Sequence, residues 1–111
     1  MQSQSQPPKL LDVLPELVRE LQALLRNHGE SELAIQVQEL RIVDRCRCGD
    51  DFCGTFYAQP RPKDAWGASH RNVSLSPEKG MLILDVVDGK IACVEALYRD
   101  DIRQAVHRAV P

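Results

Sequence analysis

The fold is decided by the stretch Met81-Leu-Ile-Leu-Asp-Val-Val-Asp-Gly-Lys-Ile-Ala-Cys-Val-Glu-Ala-Leu-Tyr98. Asp88 and Gly89 separate two apolar runs, and this is among the strongest short-range hairpin signals, because both central positions of a type I′ turn need positive φ. The stretch therefore predicts two antiparallel strands joined by a two-residue turn. Apolar residues then fall on both faces of the hairpin: Leu82, Leu84, Val86, Ile91 and Cys93 on one, and Ile83, Val94 and Ala96 on the other.

Helical patterns stand on both sides of this hairpin. Leucine and valine recur at steps of three and four residues over residues 14–25, and Pro15 suits the first turn of a helix there. A pattern with the same period covers residues 102–110. Residues 30–37 fit either a strand or a helix, and we favour a short helix because the apolar phase changes after this segment.

A second hairpin is predicted before the first. Leu40–Cys48 alternates in polarity, turn-forming residues follow, and Phe52–Tyr57 resumes a β pattern. Residues 59–72 contain two prolines and a glycine and are typical of a loop. A short strand is expected over Asn72–Leu75.

Together these elements predict a single α+β domain over residues 10–111, after a disordered tail over residues 1–9. We expect a four- to five-stranded antiparallel sheet of two hairpins plus a short strand. An N-terminal helix or helix pair and a C-terminal helix should pack on one face of that sheet.

Composition narrows the class of protein. The chain has 111 residues, a formal net charge of −2 and a pI of about 5.9, so the basic excess typical of a nucleic-acid binder is missing. Residues 1–8 resemble no signal peptide, and no apolar run approaches the roughly 20 residues of a membrane span. We therefore expect a cytoplasmic protein with reduced or metal-bound cysteines.

Three cysteines form a compact group in the second hairpin. Cys46 and Cys48 share a face, because residues two apart in a strand point the same way. A two-residue turn beginning at Gly49 places Cys53 opposite Cys46, and one beginning at Asp50 places it opposite Cys48. Either register brings the three sulfur atoms to one face.

Three interpretations of this group stay open. The cysteines can be small buried hydrophobic residues. They can bind zinc, with His70, His28 or Cys93 as a fourth ligand, although C-x-C is a less usual zinc spacing than C-x-x-C. They can form a redox switch, which the flanking Arg45 and Arg47 would support by lowering thiol pKa values. Strand alternation, however, points both arginines to the opposite face.

The loop over residues 59–72 is a second candidate site. Arginine and tryptophan are enriched at binding hot spots, and loops carry function disproportionately. The residues concerned are Arg61, Lys63, Trp66, His70 and Arg71. The alternative is that the tryptophan folds back onto the sheet and the charged side chains are solvated.

Catalytic motifs are weak in this sequence. Ser69 and His70 are adjacent and cannot face each other as nucleophile and base, and no nucleotide-binding or nucleophile-elbow motif is present. Glu95 stands in a mostly apolar strand, where a buried carboxylate needs a partner unless it faces solvent. An enzyme acting through Glu95 or His70 is the least favoured hypothesis.

The order of the two motifs resembles a group of small uncharacterised bacterial proteins. The matching segments are Leu40-Arg-Ile-Val-Asp-Arg-Cys-Arg-Cys-Gly-Asp-Asp-Phe-Cys53 and Leu82-Ile-Leu-Asp-Val-Val-Asp-Gly-Lys-Ile-Ala-Cys-Val-Glu-Ala-Leu-Tyr98. In that group a C-x-C hairpin follows an N-terminal helical segment and precedes a hairpin with a D-G turn. The resemblance implies an α+β layout and a bacterial cytoplasmic setting, and it implies no activity, ligand or catalytic residue.

The leading functional hypothesis is a non-enzymatic binding protein with a protein partner or a second copy of itself. The apolar residues on both faces of the D-G hairpin favour a homodimer, because helices can cover only one face. The alternative is a zinc-binding or thiol redox-responsive protein that uses Cys46, Cys48 and Cys53.

Overall fold

A computed structural model describes residues 6–63 and 65–111 and confirms the α+β class with a five-stranded antiparallel sheet. The elements are α1 Leu10–Val13, α2 Pro15–Asn27, α3 Ser31–Val37, β1 Asp44–Arg45, β2 Phe56–Tyr57, β3 His70–Leu75, β4 Met81–Val87, β5 Lys90–Leu97 and α4 Asp100–Ala109. The short helix favoured for residues 30–37 is confirmed as α3. No helix within the described ranges has the length and apolar character required to cross a membrane.

The last strand in the chain occupies the middle of the sheet. The strand order is β1-β2-β5-β4-β3, and every pairing is antiparallel. β5 pairs with β4 through the D-G turn and with β2 on its other side. The two predicted hairpins are therefore joined into one sheet by β5.

The D-G hairpin forms as predicted, but it contains a β-bulge. Asp88 and Gly89 have φ of 54° and 76°, as a type I′ turn requires. Val86 then pairs with Ile91, whereas Asp85 pairs with Cys93, so one extra residue lies in β5 between these pairs. The side chain of Gln36 accepts a hydrogen bond from the Ile91 N–H at 3.0 Å.

Because of the bulge, the side chains of β5 from Cys93 onward lie on the face opposite to the predicted one. A one-residue shift moves every later side chain to the other face of the sheet. Cys93 therefore lies on the face opposite Leu84, and Val94 and Ala96 join Leu84 in the core. The sheet therefore has one apolar face, which lies in the core, and a second face that carries Asp85 and Glu95 among apolar side chains such as Ile83 and Leu97. We call this second face the polar face.

The core lies between the helices and the apolar face of the sheet. α2 and α4 are amphipathic, and each directs its apolar side toward the sheet. The sheet contributes Phe56, Val73, Leu75, Leu82, Leu84, Val86, Ile91, Val94 and Ala96, and the helices contribute Leu10, Leu17, Val18, Leu21, Leu25, Leu33, Ala34, Val37, Ile102 and Val106. The helices therefore cover one face of the sheet, as predicted. The opposite face is not covered by these helices and can carry a functional site.

Part of the predicted tail contacts the chain before β1. Ile42 donates a backbone hydrogen bond to the Pro8 oxygen at 2.8 Å, and the Arg41 guanidinium donates to the Pro7 oxygen at 2.7 Å. Residues 1–5 of the predicted tail lie outside the described part of the chain.

The cysteine hairpin is shorter and more irregular than predicted. Only β1 and β2 form a regular ladder, and a two-residue turn is not formed. Cys53 makes an isolated bridge with Leu97, and Gly54 donates a hydrogen bond to the Ala96 oxygen at 2.8 Å. The chain after the turn therefore pairs with β5 instead of closing against Cys48, which leaves residues 46–55 as a loop.

Candidate metal centre

The loop between β1 and β2 brings three sulfur atoms together. The Sγ atoms of Cys46, Cys48 and Cys53 all lie within 4.8 Å of one another. Cys46 is half-buried, Cys48 is exposed and Cys53 is buried, so the group reaches from the surface to the sheet. Cys46 donates its N–H to the Thr55 oxygen at 3.0 Å, at the base of the loop.

Hydrogen bonds make the three thiols unequal. Burial opposes ionisation of Cys53, but hydrogen bonds from the Thr55 side chain and backbone, and from the other two thiols, outweigh it and lower its pKa. At Cys48 a backbone hydrogen bond at Asp50 favours the thiolate, yet the hydrogen bonds with Cys46 and Cys53 raise the pKa to about 11. Of these two thiols, Cys53 therefore ionises more readily than Cys48.

None of the predicted fourth ligands joins this group. Among the described residues the cluster consists of the three cysteines, without His70, His28 or Cys93. His28 caps the C-terminus of α2, and His70 Nε2 lies 2.7 Å from Asp85 Oδ1. Cys93 is buried in β5, where burial and the nearby Asp85 raise its thiol pKa.

The flanking arginines turn away from the thiols. Arg45 donates to the Val110 oxygen at 2.7 Å, and Arg47 donates to the Pro111 oxygen at 3.1 Å and to Asp44 at 3.2 Å. These contacts agree with the alternation of side chains expected from the sequence. The arginines therefore bind the loop to residues 110 and 111 through hydrogen bonds and do not contact the sulfur atoms in a way that would lower their pKa values.

A carboxyl pair lies beside the thiols on the polar face of the sheet. Asp85 in β4 is 3% exposed, and its Oδ1 accepts a hydrogen bond from Asn72 Nδ2 at 2.7 Å and contacts His70. Glu95 in β5 is its diagonal neighbour. A hydrogen bond with Asp85, together with burial and the charge of Asp85, raises the pKa of Glu95 to about 7, against the influence of His70. Glu95 therefore keeps its proton at pH values below about 7.

A cavity of about 350 Å³ connects the carboxyl pair with the thiols. Its wall combines acidic, sulfur-containing and aromatic side chains: Cys46, Asp50, Phe52, Cys53, Thr55, Tyr57, Trp66, Asp85, Cys93, Glu95 and Leu97. Burial raises the pKa of the Tyr57 phenol, which stays protonated at neutral pH. The cavity therefore gives small polar molecules access to Cys53.

The candidate binding loop folds back onto this face. Trp66 packs near Tyr57 and His70, with ring centroids 6.4 and 6.3 Å apart respectively. Arg61 lies over the Tyr57 ring at 5.0 Å, and Lys63 is exposed.

The last two candidate residues of the loop belong to β3 rather than to a loop. His70 contacts Asp85 on the polar face. Arg71 forms a bidentate ion pair with Glu30, at 2.8 and 3.0 Å, on the helix side of the sheet. The five residues therefore do not make one surface.

Sequence reasoning missed the central role of Asp85. A carboxylate within the apolar run of β4 was the available signal, because such a group needs polar partners. Its pairing with Glu95 was hidden by the bulge: without the extra residue the two carboxylates would lie on opposite faces.

Comparison with known proteins identifies no family for this chain, since no protein-family model, curated protein or solved structure matches it. The resemblance based on the C-x-C and D-G hairpins stays a prediction.

Proposed function

We propose that this protein binds zinc through Cys46, Cys48 and Cys53. The observation that supports this most directly is the separation of the three sulfur atoms, all within 4.8 Å. Zinc bound tetrahedrally at a Zn–S distance of about 2.3 Å holds its thiolates about 3.8 Å apart. Small rotations of exposed Cys48 and its neighbours are enough to reach that spacing.

The chemistry of the donor set fits this metal. Thiolates select soft or borderline ions such as zinc, and metal binding displaces their protons. Three protein ligands leave one coordination position for a small molecule, and the adjoining cavity is on the side of Cys53. Free thiols at this spacing suit a reducing compartment, so we retain the proposal of a cytoplasmic protein.

The test is zinc content by elemental analysis after anaerobic purification, with thiols counted before and after chelation. We expect about one zinc per chain and three thiols that react only after chelation. The Cys46→Ser/Cys48→Ser double variant should hold none. Cys93→Ser is the matched control, because Cys93 lies outside the cluster, and it should keep the metal.

A non-enzymatic binding role is a second proposal, and an apolar patch supports it. Phe52 and Tyr98 stack with ring centroids 5.2 Å apart and are 39% and 63% exposed, and Met81 is 44% exposed. Self-association through this patch would bury all three side chains. Light scattering at micromolar concentration should show a dimer that Tyr98→Ser dissociates, and a monodisperse wild-type monomer would exclude the homodimer.

A further inference from the structure

We propose that Cys53 and Cys48 form a peroxide-reactive dithiol, which hydrogen peroxide or a small organic hydroperoxide oxidises to a disulfide. This activity does not require zinc. Its regulatory consequence, loss of metal from the oxidised site, does rest on the proposed zinc function.

Cys53 is the member of this pair that lines the cavity through which a peroxide would enter. The residue is 7% exposed to solvent, and the cavity has a volume of about 350 Å³ and lies on the polar face. The Thr55 hydroxyl accepts a hydrogen bond from the Ala96 N–H at 3.2 Å and donates to the Cys53 sulfur. The sulfur is thus held in place beside a cavity that is large enough for small oxidants.

Cys48 is placed to complete the reaction. The Sγ atoms of Cys48 and Cys53 lie within 4.8 Å of each other, whereas the backbone of Cys46 is held by its hydrogen bond to the Thr55 oxygen. A disulfide needs an S–S distance of about 2.0 Å. Gly49 follows in an open stretch, with no atom within 4 Å of where a Cβ would stand. The exposed Cys48 can therefore close this gap by a small loop movement.

The chemistry takes two balanced steps. The Cys53 thiolate attacks one peroxide oxygen, the O–O bond breaks, and the other oxygen leaves with a proton as water or an alcohol, which makes Cys53 a sulfenic acid. The Cys48 thiolate then attacks that sulfur, the S–O bond breaks, and water leaves. Two thiols and one hydroperoxide give one disulfide, one alcohol or water, and one water. A small dithiol reverses the product by exchange.

Tryptic mapping can identify the disulfide without ambiguity. Metal-free protein is treated with one equivalent of hydrogen peroxide, alkylated and digested. Cleavage after Arg47 separates Cys46 from the peptide that carries both Cys48 and Cys53. We expect that peptide to lose two hydrogens and remain unalkylated, while Cys46 and Cys93 are alkylated. A cross-link to the Cys46 peptide, or four alkylated cysteines, would overturn the proposal.

Single and double variants distinguish the role of Cys53 from that of Cys48. Measured together, zinc content and disulfide formation distinguish the zinc proposal from the dithiol proposal. Cys53→Ser should abolish the disulfide within the Cys48–Lys63 tryptic peptide. The Cys46→Ser/Cys48→Ser double variant, which removes both neighbouring sulfur atoms, should leave a sulfenic acid on Cys53 that dimedone traps, and Cys93→Ser should react like wild type. Zinc binding without disulfide formation would refute the dithiol alone, and disulfide formation in a protein that never holds zinc would refute the zinc site alone.

Discussion

Replacing Glu95 by Gln should remove a pH dependence of stability that the carboxyl pair creates. The glutamine amide can donate a hydrogen bond to Asp85 at every pH, whereas Glu95 can do so only while it is protonated. In the folded protein the pKa of Glu95 is about 7, against an ordinary value of 4.5. Wild type and Glu95→Gln should therefore have similar stability at acidic pH, and wild type should be the less stable of the two at basic pH.

The sign and size of the effect follow from linkage. Because the folded state holds the proton more tightly than the unfolded state, the stabilisation is complete below the ordinary pKa and is lost as the pH rises through the folded pKa. The difference of 2.5 between these pKa values corresponds to about 3.4 kcal/mol. Glu95 is only half-buried, and screening by solvent reduces the expected loss to about 1.5 kcal/mol.

Urea unfolding followed by circular dichroism, in chelator at pH 5 and pH 8, provides the measurement. Relative to Glu95→Gln, wild type should lose about 1.5 kcal/mol between the two pH values, or about 6 °C in Tm. Glu78→Gln, an exposed matched control, should follow wild type. If the difference in unfolding free energy between wild type and Glu95→Gln does not change with pH, the pKa of Glu95 is not raised by its contact with Asp85.

Three further predictions concern packing and hydrogen bonding. Gly54→Ala should cost about 1–3 kcal/mol in urea unfolding, because its Cβ would stand 2.9 Å from the backbone nitrogen of Arg103; an unchanged midpoint would show that α4 can retreat. Arg99→Lys should lower the free energy of unfolding by about 1–3 kcal/mol, since the Arg99 side chain is 9% exposed and its guanidinium makes two bidentate carboxylate contacts. Arg71→Lys should cost under about 1 kcal/mol, because the Arg71 side chain is 51% exposed in its pair with Glu30. Gln36→Leu should cost about 1–2 kcal/mol and speed amide exchange at the β5 bulge, whose N–H it leaves without a partner; unchanged exchange there would contradict this.

The sequence predicted those parts of the fold that depend on local signals. Asp88-Gly89 identifies the turn because few residue pairs accept positive φ twice, and the periodicity of residues 14–25 identifies the first long helix. The bulge in β5 could not be predicted, because Ile91, Ala92 and Cys93 are all small or apolar. The polarity pattern of the strand is therefore satisfied both with and without the extra residue. Only the contacts of Gln36 and of β2 with that strand decide between them.

The sequence predicted one half of the candidate site, the cysteine group, but not the other half, the carboxyl pair. The grouping of Cys46, Cys48 and Cys53 follows from strand alternation and a nearby turn, and it survives the irregular loop because the three residues are close in sequence. The carboxyl pair did not follow, because Asp85 and Glu95 meet only after the bulge shifts one of them to the other face. Long-range register, which no local pattern encodes, set this half of the site.

The central position of β5 has a consequence for synthesis on the ribosome. β1, β2, β3 and β4 all precede β5, yet only β5 connects the first pair to the second. The cysteine loop gains its bridge to Leu97 and its hydrogen bond to the Ala96 oxygen from that same strand. A nascent chain ending before residue 90 therefore presents its thiols on an unsupported loop. The three sulfur atoms therefore reach the arrangement on which the proposed zinc site depends only when the last strand enters the sheet.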